Sequence, residues 1–370
     1  MSEQKWVNQK LDRIRHWLGQ KGLDGVLLCK KRNFSWLTCG KANHIELNTE
    51  QGVADLLITQ NRAICITTRM EAERIASEEL DGLGFEMVVS EWIEGREKTI
   101  QHLCRGKKIA TDVSPELIGL DQGICLDREI ARLSYALTDE EAARYRNICL
   151  NAAKALESTC REIEPDMTEF EIQATLAKKV FTRGMRPVVM LVATDERIYR
   201  FRHPIPTSKR LQTYAMLVLC AEQSGLIANM TRFVHFGPLS PELSENRYKL
   251  AQIDVAMNSA TRPGTEIKQV FQSGIRAYQE AGHGEDWHYL HQGGPTGYAT
   301  REFLATPDCE GVVQLNQAFA WNPSIRGLKS EDTILVKEEH NEILTHTDEW
   351  IYITIKKDGQ EFKRPDILIR

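Results

Sequence analysis

Two hydrophobic periods alternate along the chain. In KLDRIRHWLGQKGL apolar residues recur every three to four positions up to Gly22, which predicts an amphipathic helix ended by a glycine. DGVLLCK is a short apolar run and reads as a buried strand, followed by NFSWLTCG. ADLLITQNRAICIT reads as two strands about the turn Gln60-Asn61. RMEAERIASEEL has the helical period, while FEMVV and KKIATD read as strands. This alternation predicts a small mixed sheet with helices on its faces. The segment ICLDREIARLSYALTDEEAARYRN then becomes helical. Thr138 with Glu141 has the capping-box spacing, so a new helix starts near 139. We divide the chain there, into 1–135 and 136–370.

The second block begins with a long helix over about 139–163. A second capping box, Thr168 with Glu171, opens TEFEIQATLAKKVFTRG. PVVMLVAT and YAMLVLCAEQSGLIANMTRFVHFG read as strands, the latter a hairpin turning near Gln223-Ser224. PELSENRYKLAQIDVAMNSA is helical, and Pro263-Gly264 is the entry turn of the next helix. GVVQLNQAFAWNP, SEDTILVKEEHNEILT and EWIYITI are strand-rich. Two passages in the order helix, helix, strand, hairpin suggest an internal duplication, though no clean sequence repeat is visible.

Composition narrows the function classes. The 370 residues suffice for two domains. A hydrophobic share of 42% and a charged share of 27% are those of an ordinary soluble protein. The net charge of −5 gives no electrostatic footprint for nucleic acid. No apolar run approaches a membrane span, and MSEQKWVNQKLDRIRHWL lacks the apolar centre of a secretory signal. Nine cysteines without zinc spacing read as reduced packing thiols. Neither a nucleic-acid nor a membrane partner is expected, and the expected compartment is the cytoplasm.

Several stretches then carry a resemblance. GLDGVLL with NFSWLTCG, LTDEEAARYRNICLNAAKALE, RPGTEIKQVFQSGIRAYQEAGHGE, HYLHQGGPTGY, FAWNPSI and GLKSEDTILV occur in the order found in the family of creatinase, prolidase, aminopeptidase P and methionine aminopeptidase. The chain resembles that family over nearly its whole length. The resemblance implies an α+β fold: an N-terminal creatinase-like α/β domain followed by a C-terminal pita-bread domain.

Family peptidases bind two divalent cations through two aspartates, a histidine and two glutamates. By position these fall on Val218, Asn229, His291, Asn322 and Glu331. Three of the five positions, Val218, Asn229 and Asn322, have lost their acid. Valine has no lone pair, and neutral amides replace bridging carboxylates poorly. We therefore expect no two-metal centre and no cofactor. A single, weakly held divalent cation on His291 and Glu331 is left open.

The rest of the loop is not stripped bare. The glycines of HQGGPTGY fit either a tight structural turn or a close backbone approach to a ligand. The resemblance places His203, in RFRHPIPTSKR, where metal-free creatinase carries its base; a surface-loop histidine is the alternative. His203, His291 and Glu331 are the candidate catalytic residues. Glu331 beside an imidazole would favour the imidazolium form. Tyr298 stands where the family has a second histidine, and either donates to an oxyanion or packs. Arg301 and Glu302 orient one another or bind a substrate carboxylate. Lys329 replaces a common arginine, and Arg232 matches an arginine that is usually structural. His44 is a candidate substrate contact from a partner's N-terminal domain, since the resemblance implies a homodimer. Trp36 is either part of an exposed aromatic contact or core.

Three functions follow. The first is a metal-independent hydrolase of a C–N bond in a small peptide-like or amide substrate, similar to Xaa-Pro peptidases and creatinase, with a histidine base. The second is a non-catalytic pita-bread fold that binds peptide or protein. The third is a conventional metal-dependent aminopeptidase or dipeptidase.

Overall fold

The computed structural model describes residues 2–120 and 122–370. The chain separates into two compact units, Met1–Ser134 and Tyr135–Arg370.

The first unit carries helices α1 (Glu3–Lys21), α2 (Lys31–Leu37), α3 (Arg69–Arg74), α4 (Glu97–Cys104) and α5 (Asp127–Arg132). Its strands are β1 (Gly25–Lys30), β2 (Gln51–Thr59), β3 (Ala63–Thr68), β4 (Glu86–Ser90), β5 (Ile109–Thr111) and β6 (Gly123–Cys125). They form one mixed sheet in the order β4-β3-β2-β1-β5-β6, as the alternating pattern predicts. Helix α1 ends at Gly22, whose φ of 62° suits a residue without a Cβ. Trp36, on α2, is 1% exposed and belongs to the core, so the exposed-contact reading of this residue fails. Exposed apolar residues of this unit include Met70, Trp92 and Ile93. His44 lies half-buried in the loop before β2.

The second unit opens with α6 (Asp139–Glu162) and α7 (Glu169–Phe181). Both start at formed capping boxes, with the Thr138 and Thr168 hydroxyls accepting from the Glu141 and Glu171 backbone and those glutamates reaching back. Next come β7 (Arg186–Thr194), α8 (Glu196–Arg200) and the hairpin β8 (Tyr214–Gln223) with β9 (Leu226–His235). Its two-residue turn has positive φ at Ser224 and Gly225. Helices α9 (Pro241–Ala260) and α10 (Ile267–Glu280) follow, then strands β10 (Gly293–Thr296), β11 (Ala318–Trp321), β12 (Ser324–Ile325), β13 (Leu328–Lys329), β14 (Asp332–Leu335), β15 (Glu342–Ile343), β16 (Tyr352–Lys357), β17 (Gln360–Pro365) and β18 (Leu368–Ile369). The two principal sheets run β18-β9-β8-β7 and β10-β11-β14-β15. Two helices followed by a strand and a hairpin thus occur twice, the arrangement the duplicated sequence order suggests.

The two sheets meet where the Thr231 amide donates to the Glu331 carbonyl at 3.1 Å and the Asn229 amide to Thr333 Oγ1 at 2.8 Å. Side chains alternate across a strand. At this seam Thr231 and Glu331 meet each other, whereas their neighbours Arg232 and Asp332 meet in a separate, fully buried charge network. Apolar clusters flank the seam. One includes Leu191, Met216, Val218, Phe233 and Tyr278, the other Phe271, Phe319, Trp321 and Ile334. Seven of the nine cysteines are buried as free thiols, consistent with packing roles.

Candidate active site

The site is built from the hairpin β8–β9, the segment before β10, the end of β11 and the approach to β14, all in the second unit. Antiparallel pairing sets Val218 opposite Thr231 and Cys220 opposite Asn229, so these four residues share one face. Val218 is part of the apolar core. A hydrocarbon wall therefore stands at a position that the family resemblance assigns to a carboxylate.

Asn229 is wholly buried and its amide is fully used. Its Oδ1 accepts from Arg301 Nη1 at 3.0 Å, and its Nδ2 donates to the Ile227 carbonyl and to Thr296 Oγ1, each at 3.0 Å. An aspartate here would set a carboxylate oxygen against the Ile227 carbonyl oxygen. The position is therefore organised around an amide. Asn229→Asp is expected to cost about 1–3 kcal/mol, the range for a buried polar group left unsatisfied, as read by urea unfolding at pH 7. A variant as stable as the wild type would mean that this network does not select the amide.

Arg301 links Asn229, where the resemblance expects an acid, to Glu331, where one is kept. While Nη1 reaches Asn229, Nη2 pairs with Glu331 Oε1 at 2.7 Å. The other carboxylate oxygen, Oε2, lies 2.9 Å from Lys329 Nζ and accepts from Thr231 Oγ1 at 2.8 Å. Burial pushes the Glu331 carboxyl up, but Lys329 and Arg301 outweigh burial and hold it down at about 2. Both oxygens of Glu331 are thus committed to internal partners.

His203 lies on the segment after α8, open to solvent at its outer side, with its ring centroid 5.6 Å from that of His291. Partial desolvation of its ring and the Lys329 charge lower the His203 pKa, although Glu331 acts in the opposite direction. Burial, followed by Arg301 and Lys329, brings His291 down to about 4. The expectation that Glu331 would favour an imidazolium is corrected: its charge is outweighed by burial of the rings first and by the neighbouring cations second. Both imidazoles are therefore biased toward the neutral form. His291 Nδ1, Asn322 Oδ1 and Arg301 Nε are buried without a hydrogen-bond partner.

Two other candidates have different jobs. The Tyr298 hydroxyl donates to Glu141 Oε1 at 2.7 Å and accepts from Arg144 at 3.2 Å. Both capacities are spent on α6, so the tyrosine packs and is not an oxyanion donor. Glu302 accepts from the Tyr298 backbone amide at 3.1 Å and so supports the loop. The loop glycines serve close packing: a Cβ on Gly293, whose φ is 92°, would meet the Ala320 carbonyl oxygen at 2.1 Å. The Arg301–Asn229 link escaped sequence reasoning because no spacing rule joins residues 72 apart.

The Metallopeptidase family M24 model matches residues 143–338, and the Creatinase/Prolidase N-terminal domain model matches residues 10–163. The chain belongs to metallopeptidase family M24. Over 233 residues it is 24% identical to a protein of Staphylococcus aureus called an uncharacterized peptidase, a match covering 60% of this chain and 65% of that one. The chain thus spans just under two thirds of that relative's length. Its fold is similar to an Xaa-Pro dipeptidase from Bacillus anthracis, with a TM-score of 0.79 at 18% identity, covering 98% of this chain and 100% of the other. It is also similar to the N-terminal domain of a FACT complex subunit from chickpea, with a TM-score of 0.69 at 12% identity, covering 92% and 96%. At these identities both likenesses are of fold alone. No helix among the described residues is long and apolar enough to cross a membrane.

The family name implies metal, and the donor set here does not fit a metal pair. Among the described residues no group of three or more His, Cys, Asp or Glu side chains is placed to hold an ion. The five positions offer one carboxylate, one imidazole, two amides and a hydrocarbon, and the carboxylate is already paired with two cations.

Proposed function

We propose that this M24 member hydrolyses a C–N bond in a small peptide-like or amide substrate without a metal pair, using His203 as general base. The observation that carries this reading is the Arg301 guanidinium bridging Asn229 and Glu331, with the His203 and His291 rings alongside. In this reading His203 removes a proton from water as the water oxygen bonds to the amide carbon. Lys329 and Arg301 hold the substrate beside His203 through their positive charge. The C–N bond then breaks, and the His203 imidazolium returns its proton to the leaving nitrogen. One water is consumed, and one acid and one amine are released. Glu331 fixes the two cations and takes no part in proton transfer.

The test pairs elemental analysis with a screen of dipeptides, proline-containing peptides, guanidino compounds and lactams. Treatment with EDTA is expected to change neither melting temperature nor turnover. Near-stoichiometric manganese, cobalt or zinc, lost together with activity, would overturn the metal-independent reading. Peptide binding with no turnover across the whole panel would favour the binding-module function instead.

A further inference from the structure

The charge balance of the buried cluster does not close. Arg301 and Lys329 contribute two positive charges and Glu331 one negative, leaving an excess of one. All three side chains are nearly sequestered, at 8%, 6% and 3% exposure. His203 and His291 add no compensating charge, and the Cys220 thiol on the same face is pushed by burial to about 12 and stays neutral. Buried charges are normally paired, because an unpaired one forfeits its hydration without return. The same cluster holds an unpartnered donor, Arg301 Nε, and an unpartnered ring nitrogen, His291 Nδ1. The segment carrying His203 repeats the sign: Arg202 has its own buried, unpartnered Nε and is electrostatically coupled to Asp286 and Arg326, two cations against one carboxylate.

We infer that Lys329 and Arg301 form an anion subsite, and that the natural ligand of this pocket carries a carboxylate that neutralises the excess charge beside Glu331. A carboxylate suits the site better than a neutral carbonyl. It accepts charge-assisted hydrogen bonds from both a guanidinium and an ammonium, and these are the stronger kind. A dianion would overshoot the single excess charge. The inference deepens the hydrolase reading by naming a charged group on the substrate, but it is tested by binding alone. Loss of the catalytic reading would leave it standing, and its own failure would leave amide hydrolysis open.

The experiment measures binding of acetate, N-acetylglycine and N-acetyl-alanine to the full-length protein by calorimetry and ligand-observed NMR, each against its neutral primary amide. Hydrogen bonds to charged groups contribute enough for at least about tenfold discrimination. At least one acid is expected to bind about tenfold or more tighter than its amide, with affinity falling as salt rises. The preference should shrink to about twofold or less in Lys329→Met and in Arg301→Gln. No binding by any acid, or equal binding of acids and amides to the wild type, overturns the proposal without recourse to the variants. A preference that survives in both folded variants overturns it as well.

Discussion

Replacing His203 with alanine is expected to lower kcat/KM on an amide substrate by about 10²–10⁴, the usual worth of a general base. The change should leave the melting temperature close to that of the wild type, because the residue is open to solvent on one side and anchors no hydrogen-bond network. His203→Gln keeps hydrogen-bonding capacity and should fail equally, since glutamine cannot accept a proton near neutral pH. The pH profile supplies an independent check. Desolvation and Lys329 lower the His203 pKa from its ordinary 6.5. A base works only when deprotonated, so activity should be full above that lowered value and fall as pH drops through it. The acid limb should therefore lie below the ordinary histidine range. Lys329→Met removes one of the lowering influences and should move the limb to higher pH. If His203→Ala retains turnover within about threefold, or the limb stays in place when Lys329 is removed, His203 is not the base.

The elements were more legible in the sequence than the chemistry. The two capping boxes and the β8–β9 turn are local signals, and they specify local structure directly. The carry-over of ligand positions identified Asn229 and Glu331 as places to look. It did not show that one guanidinium joins them, because Arg301 comes from a loop distant in sequence from both. Lys329 could be suspected from position alone: it lies two residues before Glu331, and its ammonium reaches that carboxylate. Tyr298 and Trp36 were ambiguous for a common reason. An aromatic residue carries the same sequence signal whether it packs or projects, and only the third dimension reveals Glu141 at the Tyr298 hydroxyl. The reversed influence on the histidines has a similar origin. Glu331 does raise both imidazole pKa values, but burial of the rings, with Lys329 beside both and Arg301 beside His291, outweighs it.

Removing Arg232 should cost the fold about 3–5 kcal/mol, the scale for breaking one partner out of a buried ion pair. The side chain is fully buried. It reaches Asp332 Oδ1 at 3.0 Å, Glu157 Oε1 at 3.4 Å and the Thr345 carbonyl at 2.9 Å. Asp332 keeps a second cation, since Arg364 lies 2.7 Å from its Oδ2. Glu157 does not: in Arg232→Met it retains Thr347 Oγ1 at 2.5 Å but no positive charge. The penalty therefore falls mainly on Glu157, whose carboxyl burial already pushes up. Taking away its cation raises that pKa further. Above that raised value the variant holds an unpaired buried carboxylate; as pH falls through it the group takes a proton and the penalty fades. Urea unfolding should thus show a larger deficit at pH 7 than at pH 5. The double variant Arg232→Met with Glu157→Leu removes both charges together and should recover part of the loss, because an apolar pair replaces an ion pair at little cost. A deficit below about 1 kcal/mol at pH 7, or a double variant no better than the single, would deny the network this role. The consequence reaches the site through the strands themselves. Arg232 follows Thr231 and Asp332 follows Glu331, so the ion pair and the Thr231–Glu331 hydrogen bond are successive rungs of the same β9–β14 seam. Loosening one rung frees the carboxylate that holds Lys329 and Arg301, and the cationic pocket depends on that carboxylate staying where it is.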